Sequence, residues 1–181
     1  MRRRPTEGLT ELVFLELEVF RDARGTFVET YRRDRYREAG IDAEFVQDNL
    51  STSVAGTVRG LHYRVGTPEG KLVTCVRGEI FDVAVDIRRG SATFGRWFGA
   101  TLSAENRRQL WIPPGFAHGF YAVTEADVAY KVTGYHTPGA DRALLWCDPE
   151  LAIAWPLRGD APIVSAKDAA APTFAASELL P

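Results

Sequence analysis

The sequence contains few cysteines, and no long stretch of it is apolar. Cys75 and Cys147 are the two cysteines among 181 residues, and they lack CxxC spacing. Such a pair provides no disulfide framework, which is typical of a protein from a reducing compartment. No run approaches the ~18 apolar residues of a membrane-spanning helix. The basic residues 1–4 lead into residues 5–8, which are not an apolar segment. We therefore expect a cytoplasmic protein without a membrane partner.

A strong net charge is also missing. The chain has 22 Lys and Arg residues against 24 Asp and Glu residues, for a net charge of −2. Non-specific binding to nucleic acid depends on a positively charged surface, so no nucleic-acid partner is expected. The length suits one domain, and no repeat or compositional break divides it. We predict a single domain over residues 1–181, with strands at the N-terminal end and a wrapped C-terminal tail.

What the sequence does contain is a series of short strand-like segments separated by turn signals. Over residues 79–87, apolar side chains alternate with smaller or acidic ones, which is the period of a strand. Many short strands at regular spacing predict a mostly β protein, a jelly-roll sandwich or barrel with few short helices. One early helix is predicted, with Asp34 as its N-cap and Gly40 as its stop. The predicted strands cover residues 12–20, 26–31, 45–49, 58–63, 71–77, 79–87, 97–102, 109–112, 119–123 and 128–133.

Two segments resemble the paired motifs of cupins. The first covers residues 56–78 and carries His62; the second covers residues 113–120 and keeps the Pro-x-Gly-x2-His pattern. At two positions where metal-binding cupins have ligands, this chain has Arg64 and Lys71. A divalent cation needs neutral imidazoles and carboxylates, and two permanent positive charges would repel it. We therefore expect a cupin-type fold with no metal and a pocket suited to an anion or oxyanion.

A more specific resemblance covers nearly the whole chain. Short blocks between about residue 12 and residue 168 are similar, in order, to the signature blocks of the dTDP-4-dehydrorhamnose 3,5-epimerase family. A single block such as Arg-Gly-Leu-His-Tyr would be weak evidence, but several in the right order are specific. The blocks are residues 20–29, 47–51, 59–63, 70–73, 113–120, 130–131, 148–151 and 165–168.

This resemblance implies an enzyme that needs no cofactor and inverts C3 and C5 of dTDP-4-keto-6-deoxyglucose, on the route to dTDP-L-rhamnose or a related deoxysugar. A ketone at C4 acidifies the hydrogens on both neighbouring carbons, so a base, an opposed acid and an enolate stabiliser suffice. His62 matches the family's base and Asp168 the carboxylate that orients it. Tyr130 matches the acid, and Lys71 lies where a donor would stabilise the C4 oxyanion.

The resemblance also implies a set of substrate-binding residues and a homodimer. Arginines suit a diphosphate, amides suit the edge of thymine, and Phe27 suits stacking on the base. In the family the segment from Arg24 to Glu29 reaches the neighbouring subunit's site. The matched binding positions are Arg24, Phe27, Glu29, Gln47, Asn49, Arg59, His118, Tyr135, Asp141 and Lys167.

Two questions stay open at this point. The residues around Tyr135 and Asp141 depart from the family pattern at the sugar end, so inversion of C3 alone or C5 alone is an alternative, and a non-catalytic nucleotide-sugar-binding cupin is a more distant one. Arg59 precedes His62 by three positions, and a regular strand would place them on opposite faces. A shared site for these two residues requires an irregular strand or a partner chain.

Overall fold

Alternation of side chains along residues 79–87 explains how one interior strand is packed on both faces. The computed structural model describes residues 1–159 and 161–181. In it, Glu79–Asp86 is a strand whose Ile80 and Ala84 enter one apolar cluster, while Val83 and Val85 enter another. Because successive side chains of a strand point to opposite faces, such a pattern requires a layer on each side.

Two sheets supply the framework, and a separate hairpin lies beside them. The first sheet has the order β1-β2-β10-β7-β12-β5, the second has the order β13-β6-β11-β8-β9 with β14 added alongside β6, and β3 pairs only with β4. The pairings are antiparallel except that of β14 with β6. The strands are β1 Arg2–Arg4, β2 Val13–Glu16, β3 Phe20–Asp22, β4 Gly25–Phe27, β5 Gln47–Ser53, β6 Thr57–Arg64, β7 Lys71–Arg77, β8 Glu79–Asp86, β9 Trp97–Ser103, β10 Arg108–Ile112, β11 Phe116–Ala122, β12 Ala126–Val132, β13 Asp141–Ala143 and β14 Ile163–Val164.

The main core lies between the two sheets. It joins side chains such as Phe14 and Val73 from the first sheet to Phe98 and Phe120 from the second. The outer face of the second sheet is covered by the C-terminal part of the chain, through residues such as Phe174. Full burial of a large apolar side chain contributes roughly 1.5–3 kcal/mol, so packing holds this tail in addition to the pairing of β14 with β6 and a bridge between Arg88 and Leu180. The expected mostly β, cupin-type jelly roll is confirmed.

The two helices are short, and one boundary differs from the prediction. Helix α1 is Arg33–Glu38, with Arg32 at its N-cap, so the assignment of Asp34 as N-cap is wrong. Asp34 lies in the first turn instead, where its carboxylate accepts hydrogen bonds from Arg32 Nε (2.8 Å) and its neighbour's backbone N–H. Gly40 follows the helix with a φ of +97°, as a helix stop requires. Helix α2 is Ala166–Ala169, and within the described residues neither helix has the length and apolar character to cross a bilayer.

Several strand boundaries also differ from the prediction. The predicted strand over residues 12–20 is broken, since β2 ends at Glu16 and the separate β3 begins at Phe20. The segment 26–31 keeps strand structure only as far as Phe27. Strands β1, β13 and β14 are absent from the prediction; each has two or three residues and exists because it pairs with a longer neighbour.

Candidate active site

The residues that the sequence analysis assigned to catalysis line one cavity between the sheets. An open cavity of about 660 Å³ continues into a more polar region of about 290 Å³. His62, Lys71, Tyr130 and Lys167 line both parts. His62 comes from β6 in the second sheet, whereas Lys71 and Tyr130 come from β7 and β12 in the first. The cavity is therefore enclosed by opposed sheets, with a histidine on one side and a phenol and an ammonium on the other.

His62 is held by a buried carboxylate. Its Nε2 lies 2.7 Å from Oδ1 of Asp168, and the other carboxylate oxygen accepts from the Gly60 N–H at 3.2 Å. Asp168 is buried on α2, whose N-cap Ser165 accepts from the Asp168 N–H. Because an ionised carboxylate accepts hydrogen bonds, Nε2 carries the proton and Nδ1 keeps its lone pair.

The environment of His62 suits a base. Removal from water has the largest effect and lowers the pKa of His62 below 6.5, while Asp168 acts in the opposite direction. The ring nevertheless reaches the cavity, since about 40% of the side chain is exposed. A neutral imidazole with one free lone pair is therefore available at neutral pH.

An irregular strand brings Arg59 and His62 to the same side. On β11, His118 pairs with His62 and Phe120 pairs with Arg59, so two steps along β11 match three steps along β6. The additional residue is a β-bulge, which resets the alternation of side chains. Gly60 lies at this point with a φ of +98°, and a Cβ there would come within 2.6 Å of the His118 carbonyl oxygen. Arg59 is then fixed by hydrogen bonds to Ser53 Oγ and the Thr52 carbonyl, both at 2.9 Å.

Tyr130 faces His62 from the other sheet. Its ring packs against the main core, and its side chain lines both parts of the cavity. Burial raises the pKa of Tyr130 above 10, against the opposing effect of the nearby Arg59 guanidinium. The phenol consequently keeps its proton at neutral pH, as a general acid requires.

Lys71 lies in a charged cluster at the polar end. Its Nζ is 3.6 Å from Glu69 Oε1, and Glu69 Oε2 is 2.9 Å from Arg64 Nη1. Arg64 also contacts Asp141 Oδ1 at 3.3 Å and donates to the Tyr135 carbonyl at 2.8 Å. Burial lowers the pKa of Lys71, and Glu69 has the largest opposing effect. Two carboxylates thus neutralise Arg64 and support Lys71, and the sequence analysis had identified only one of them, Asp141.

His118 also lines the cavity and has a carboxylate of its own. Its Nε2 lies 2.7 Å from Oδ1 of Asp82, which is completely buried on β8. The sequence analysis assigned Asp82 no role in the site. The alternation of β8 contained the signal, because an acidic residue on an inward face of a buried strand requires a partner.

The remaining amide and lysine positions lie at the polar end. Gln47 and Asn49, on β5, are joined by a 2.8 Å hydrogen bond, and both line the polar region together with Lys167. Tyr135 does not line the cavity: its side chain is 69% exposed, and only its carbonyl takes part in the cluster. His136, the next residue, lines the polar region instead.

Three further predicted binding residues lie outside this cavity. Arg24 and Phe27 belong to the β3–β4 hairpin, where Arg24 is 90% exposed and pairs with Asp22, and Phe27 is 67% exposed. Glu29 follows the hairpin and pairs with Arg35 at 2.9 Å. The chain's own fold therefore does not bring these three residues to His62.

No cluster of metal ligands accompanies the catalytic candidates. Over residues 1–159 and 161–181, no group of three or more His, Cys, Asp and Glu side chains is arranged to hold a metal ion. Each cavity histidine is paired with one aspartate, and Arg64 and Lys71 are part of the polar lining. What this lining can do chemically is remove a proton, deliver a proton and hold a negatively charged oxygen.

A histidine and a tyrosine that face each other across a jelly-roll cavity, each suited to proton transfer, are the arrangement expected of a cupin-type acid–base enzyme. Comparison with known proteins makes the assignment specific. The family model for dTDP-4-dehydrorhamnose 3,5-epimerase matches residues 6–176, and the chain belongs to that family. The resemblance and the prediction of an epimerase are confirmed.

Relatives and solved structures agree with this membership. The chain is 50% identical to a dTDP-4-dehydrorhamnose 3,5-epimerase from Pseudomonas aeruginosa, over 96% of this chain and 97% of that protein. It is 52% identical to one from Neisseria gonorrhoeae over 94% of its own length, but it spans only about half (52%) of that relative. A structure of dTDP-6-deoxy-D-glucose-3,5-epimerase from Legionella pneumophila, in complex with dTDP-4-keto-L-rhamnose, matches with a TM-score of 0.90 and 50% identity, covering 94% of this chain and 92% of that one.

More distant matches include enzymes with a narrower activity. A dTDP-4-dehydrorhamnose 3-epimerase from Streptomyces niveus is 43% identical over 93% of this chain and 81% of its own length. Proteins similar to this chain therefore include enzymes named for inversion of two carbons and enzymes named for inversion of one carbon.

Proposed function

We propose that the chain inverts C3 and C5 of dTDP-4-keto-6-deoxy-D-glucose through enolate intermediates, and so supplies the keto sugar that is reduced in the biosynthesis of dTDP-L-rhamnose or a related deoxysugar. The observation that carries the proposal is the placement of His62 and Tyr130 on opposed sheets around one cavity, with Lys71 beside them. Inversion requires that a proton leaves one face of a carbon and another arrives on the opposite face.

Each inversion begins with proton removal. Nδ1 of His62 takes the hydrogen from C3 or C5, the C–H electron pair forms a double bond to C4, and the C4 oxygen becomes an enolate. Asp168 stabilises the imidazolium that results, since its carboxylate lies 2.7 Å from Nε2. The Lys71 ammonium donates a hydrogen bond to the enolate oxygen, an effect usually worth about 10²–10³ in rate.

Reprotonation completes the inversion. The Tyr130 hydroxyl gives its proton to the opposite face of C5 while the C4 carbonyl re-forms, and exchange with solvent then restores the phenol and the neutral imidazole. The raised pKa of Tyr130 keeps the phenol protonated until the carbanionic carbon is presented. Arg59 is suited to the diphosphate, and Gln47 with Asn49 to polar groups of the substrate.

The competing function is inversion of one carbon only, and two observations keep it relevant. A 3-epimerase is among the relatives, and the polar end of the cavity is formed by a charged cluster around Arg64 and Asp141.

The deciding experiment is NMR of dTDP-4-keto-6-deoxyglucose in D2O with the enzyme alone. Loss of both the H3 and H5 signals with formation of the L-lyxo product supports the double inversion. Loss of H3 alone would establish the narrower activity, and no exchange at either carbon would favour a non-catalytic binding protein.

We also infer a homodimer in which each hairpin serves the partner's site. Exposed Phe20 and Phe27 lie on the hairpin with ring centroids 6.4 Å apart, and Arg24 extends into solvent. Exposed aromatic side chains beside a cation suit a nucleotide or a protein surface. Light scattering should give twice the chain mass, and a fully active monomer would contradict the inference.

We place the protein in the cytoplasm, which its free cysteines favour. We also expect it to work without a cofactor, because the acid–base site as proposed needs none.

A further inference from the structure

Glu69 occupies a buried position between two cations of the cavity. It lies in the connection from β6 to β7, immediately before Gly70, and its side chain is only 11% exposed. One carboxylate oxygen is 2.9 Å from Arg64 Nη1, and the other is 3.6 Å from Lys71 Nζ. A buried carboxylate loses much hydration, so its position here requires a compensating interaction from both cations.

Arg64 forms an ion pair with the carboxylate, although Glu69 Oε2 accepts no hydrogen bond from the described residues. Its guanidinium is itself held by the Tyr135 carbonyl and by Asp141, so it cannot swing away from Glu69 without breaking three contacts. Gly70, the next residue, donates its N–H to Thr133 Oγ1 and thereby ties the connection to the end of β12. Glu69 is consequently a rigid neighbour of Lys71 rather than a mobile surface carboxylate.

We propose that Glu69 is a positioning residue that keeps Lys71 protonated and holds its ammonium at the cavity wall. The inference deepens the proposed function and rests on it, because Lys71 matters as the donor to the enolate oxygen. Lys71 is 14% exposed, so burial acts against its charged form, and an adjacent anion opposes that effect.

The other charged and titratable groups that face this region do not replace Glu69. His62 and Arg64 come from β6, Tyr130 from β12, and Lys167 from α2, and none of them carries a negative charge at neutral pH. The two further carboxylates are already engaged: Asp168 with His62, and Asp141 with Arg64 and His136. Consistent with this placement, Glu69 is the largest influence that opposes the effect of burial on the pKa of Lys71.

The chain offers a direct measurement because Lys71 is one of only three lysines, with Lys131 and Lys167. Protein labelled with ¹³C and ¹⁵N in lysine gives three side-chain signals, which single Lys→Arg variants assign. In Glu69→Gln, the titration midpoint of Lys71 should fall by about 1–2 pH units, the usual effect of removing an adjacent opposite charge. The alkaline limb of kcat/KM should move to lower pH by a similar amount.

Controls separate this effect from a loss of structure. Glu125→Gln removes the same charge from an exposed pair with Arg77 and should leave Lys71 unchanged. Arg64→Gln combined with Glu69→Gln keeps the net charge and avoids an unpaired Arg64, so it remains informative if Glu69→Gln alone does not fold. Its Lys71 midpoint should lie below that of the wild type, by less than in the single variant.

The outcomes distinguish a failure of the role assigned to Glu69 from a failure of the proposed function. If the wild type turns over substrate and the Lys71 midpoint is unchanged in both Glu69 variants, the role of Glu69 is overturned and the proposed function stands. If the wild type exchanges neither H3 nor H5, the proposed function fails, and the catalytic meaning of Glu69 fails with it even where the Lys71 midpoint moves.

Discussion

The cavity and the β3–β4 hairpin both carry residues that match the epimerase family, but the contacts that hold these residues differ in burial and in sequence separation. In the cavity, Asp168 is buried and holds His62 at 2.7 Å across 106 positions of sequence. In the hairpin, Arg24 pairs with Asp22 only two positions away, and both are exposed. Long-range contacts thus complete the proton-transfer site within one chain, whereas the hairpin makes mostly local contacts.

This difference explains why the two regions call for different tests. Exposed ion pairs contribute little to stability, so the hairpin can rearrange its side chains on meeting another surface. The cavity charges are buried and mutually paired, and removal of one member leaves another unpaired. Substitutions in the cavity should therefore affect chemistry within a subunit, while substitutions in the hairpin should affect binding and, by our proposal, the neighbouring site.

The largest expected effect is that of His62→Ala. Without the base no enolate forms, so exchange with solvent should be lost at both C3 and C5, by about 10⁴-fold. NMR in D2O measures both positions in one experiment, and circular dichroism controls for folding. Retention of exchange at either carbon would mean that a second base operates in the cavity.

Tyr130→Phe should separate the two steps within the cavity. The ring still packs against the core, but the donor is gone, so the enolate forms and returns with its original stereochemistry. Deuterium should enter C5 without inversion there, with inversion reduced by about 10²–10⁴-fold and exchange at C3 retained in part. Near-normal inversion at C5 would direct attention to His136, which lines the polar region, as the acid.

Asp168→Asn should change both the rate and its pH dependence. Asp168 raises the pKa of His62 against the effect of burial, so its loss lowers that pKa further. His62 is active when neutral, and the acidic limb of kcat/KM should consequently move to lower pH while the maximum falls about 10²-fold. An unchanged limb with a reduced maximum would assign Asp168 a purely structural role.

Substitutions in the hairpin should have smaller effects, and mixed dimers test where they act. Arg24→Ala with Phe27→Ala should raise KM about 10-fold, the scale of one lost stacking contact. Mixing this double variant with His62→Ala should restore one intact site per mixed dimer if the hairpin serves the partner. Random 1:1 mixing then yields about a quarter of the wild-type kcat/KM per chain, against about one twentieth if each hairpin serves its own subunit. No recovery would mean that the hairpin serves its own subunit's site, and the contrast between the two regions would fail.

Removal of metal ions should have no effect. Neither region offers a set of metal ligands among the described residues, and the reaction as proposed uses only side chains. Activity after treatment with a chelator should equal that of the untreated enzyme, as measured by the same exchange assay. Stoichiometric zinc, iron or manganese in washed, active protein would contradict this expectation.

Much of the β framework could be predicted because its signal is local. The strand over residues 71–77 was predicted with its exact bounds, and the alternation in β8 correctly assigned its two faces. The errors fall where pairing decides the structure. Arg2–Arg4 has no apolar pattern, yet it forms a strand because β2 offers a free edge. Asp34 has the residue type of an N-cap, but the helix begins one residue before it.

The sequence by itself determined the class of fold, the family, and the identities of His62, Lys71, Tyr130 and Asp168 as catalytic candidates, because those signals lie in residue types and in short spacings. Only the tertiary structure decided that Arg59 and His62 share a face, since this depends on a bulge against β11. It also revealed Asp82 as the partner of His118, a pairing between strands that has no local signature, and it placed Glu69 between Lys71, its near neighbour in the chain, and Arg64. The physical reason is the same in each case: a charge in a cavity is defined by what surrounds it in space, and the chain brings those neighbours together only when the two sheets close.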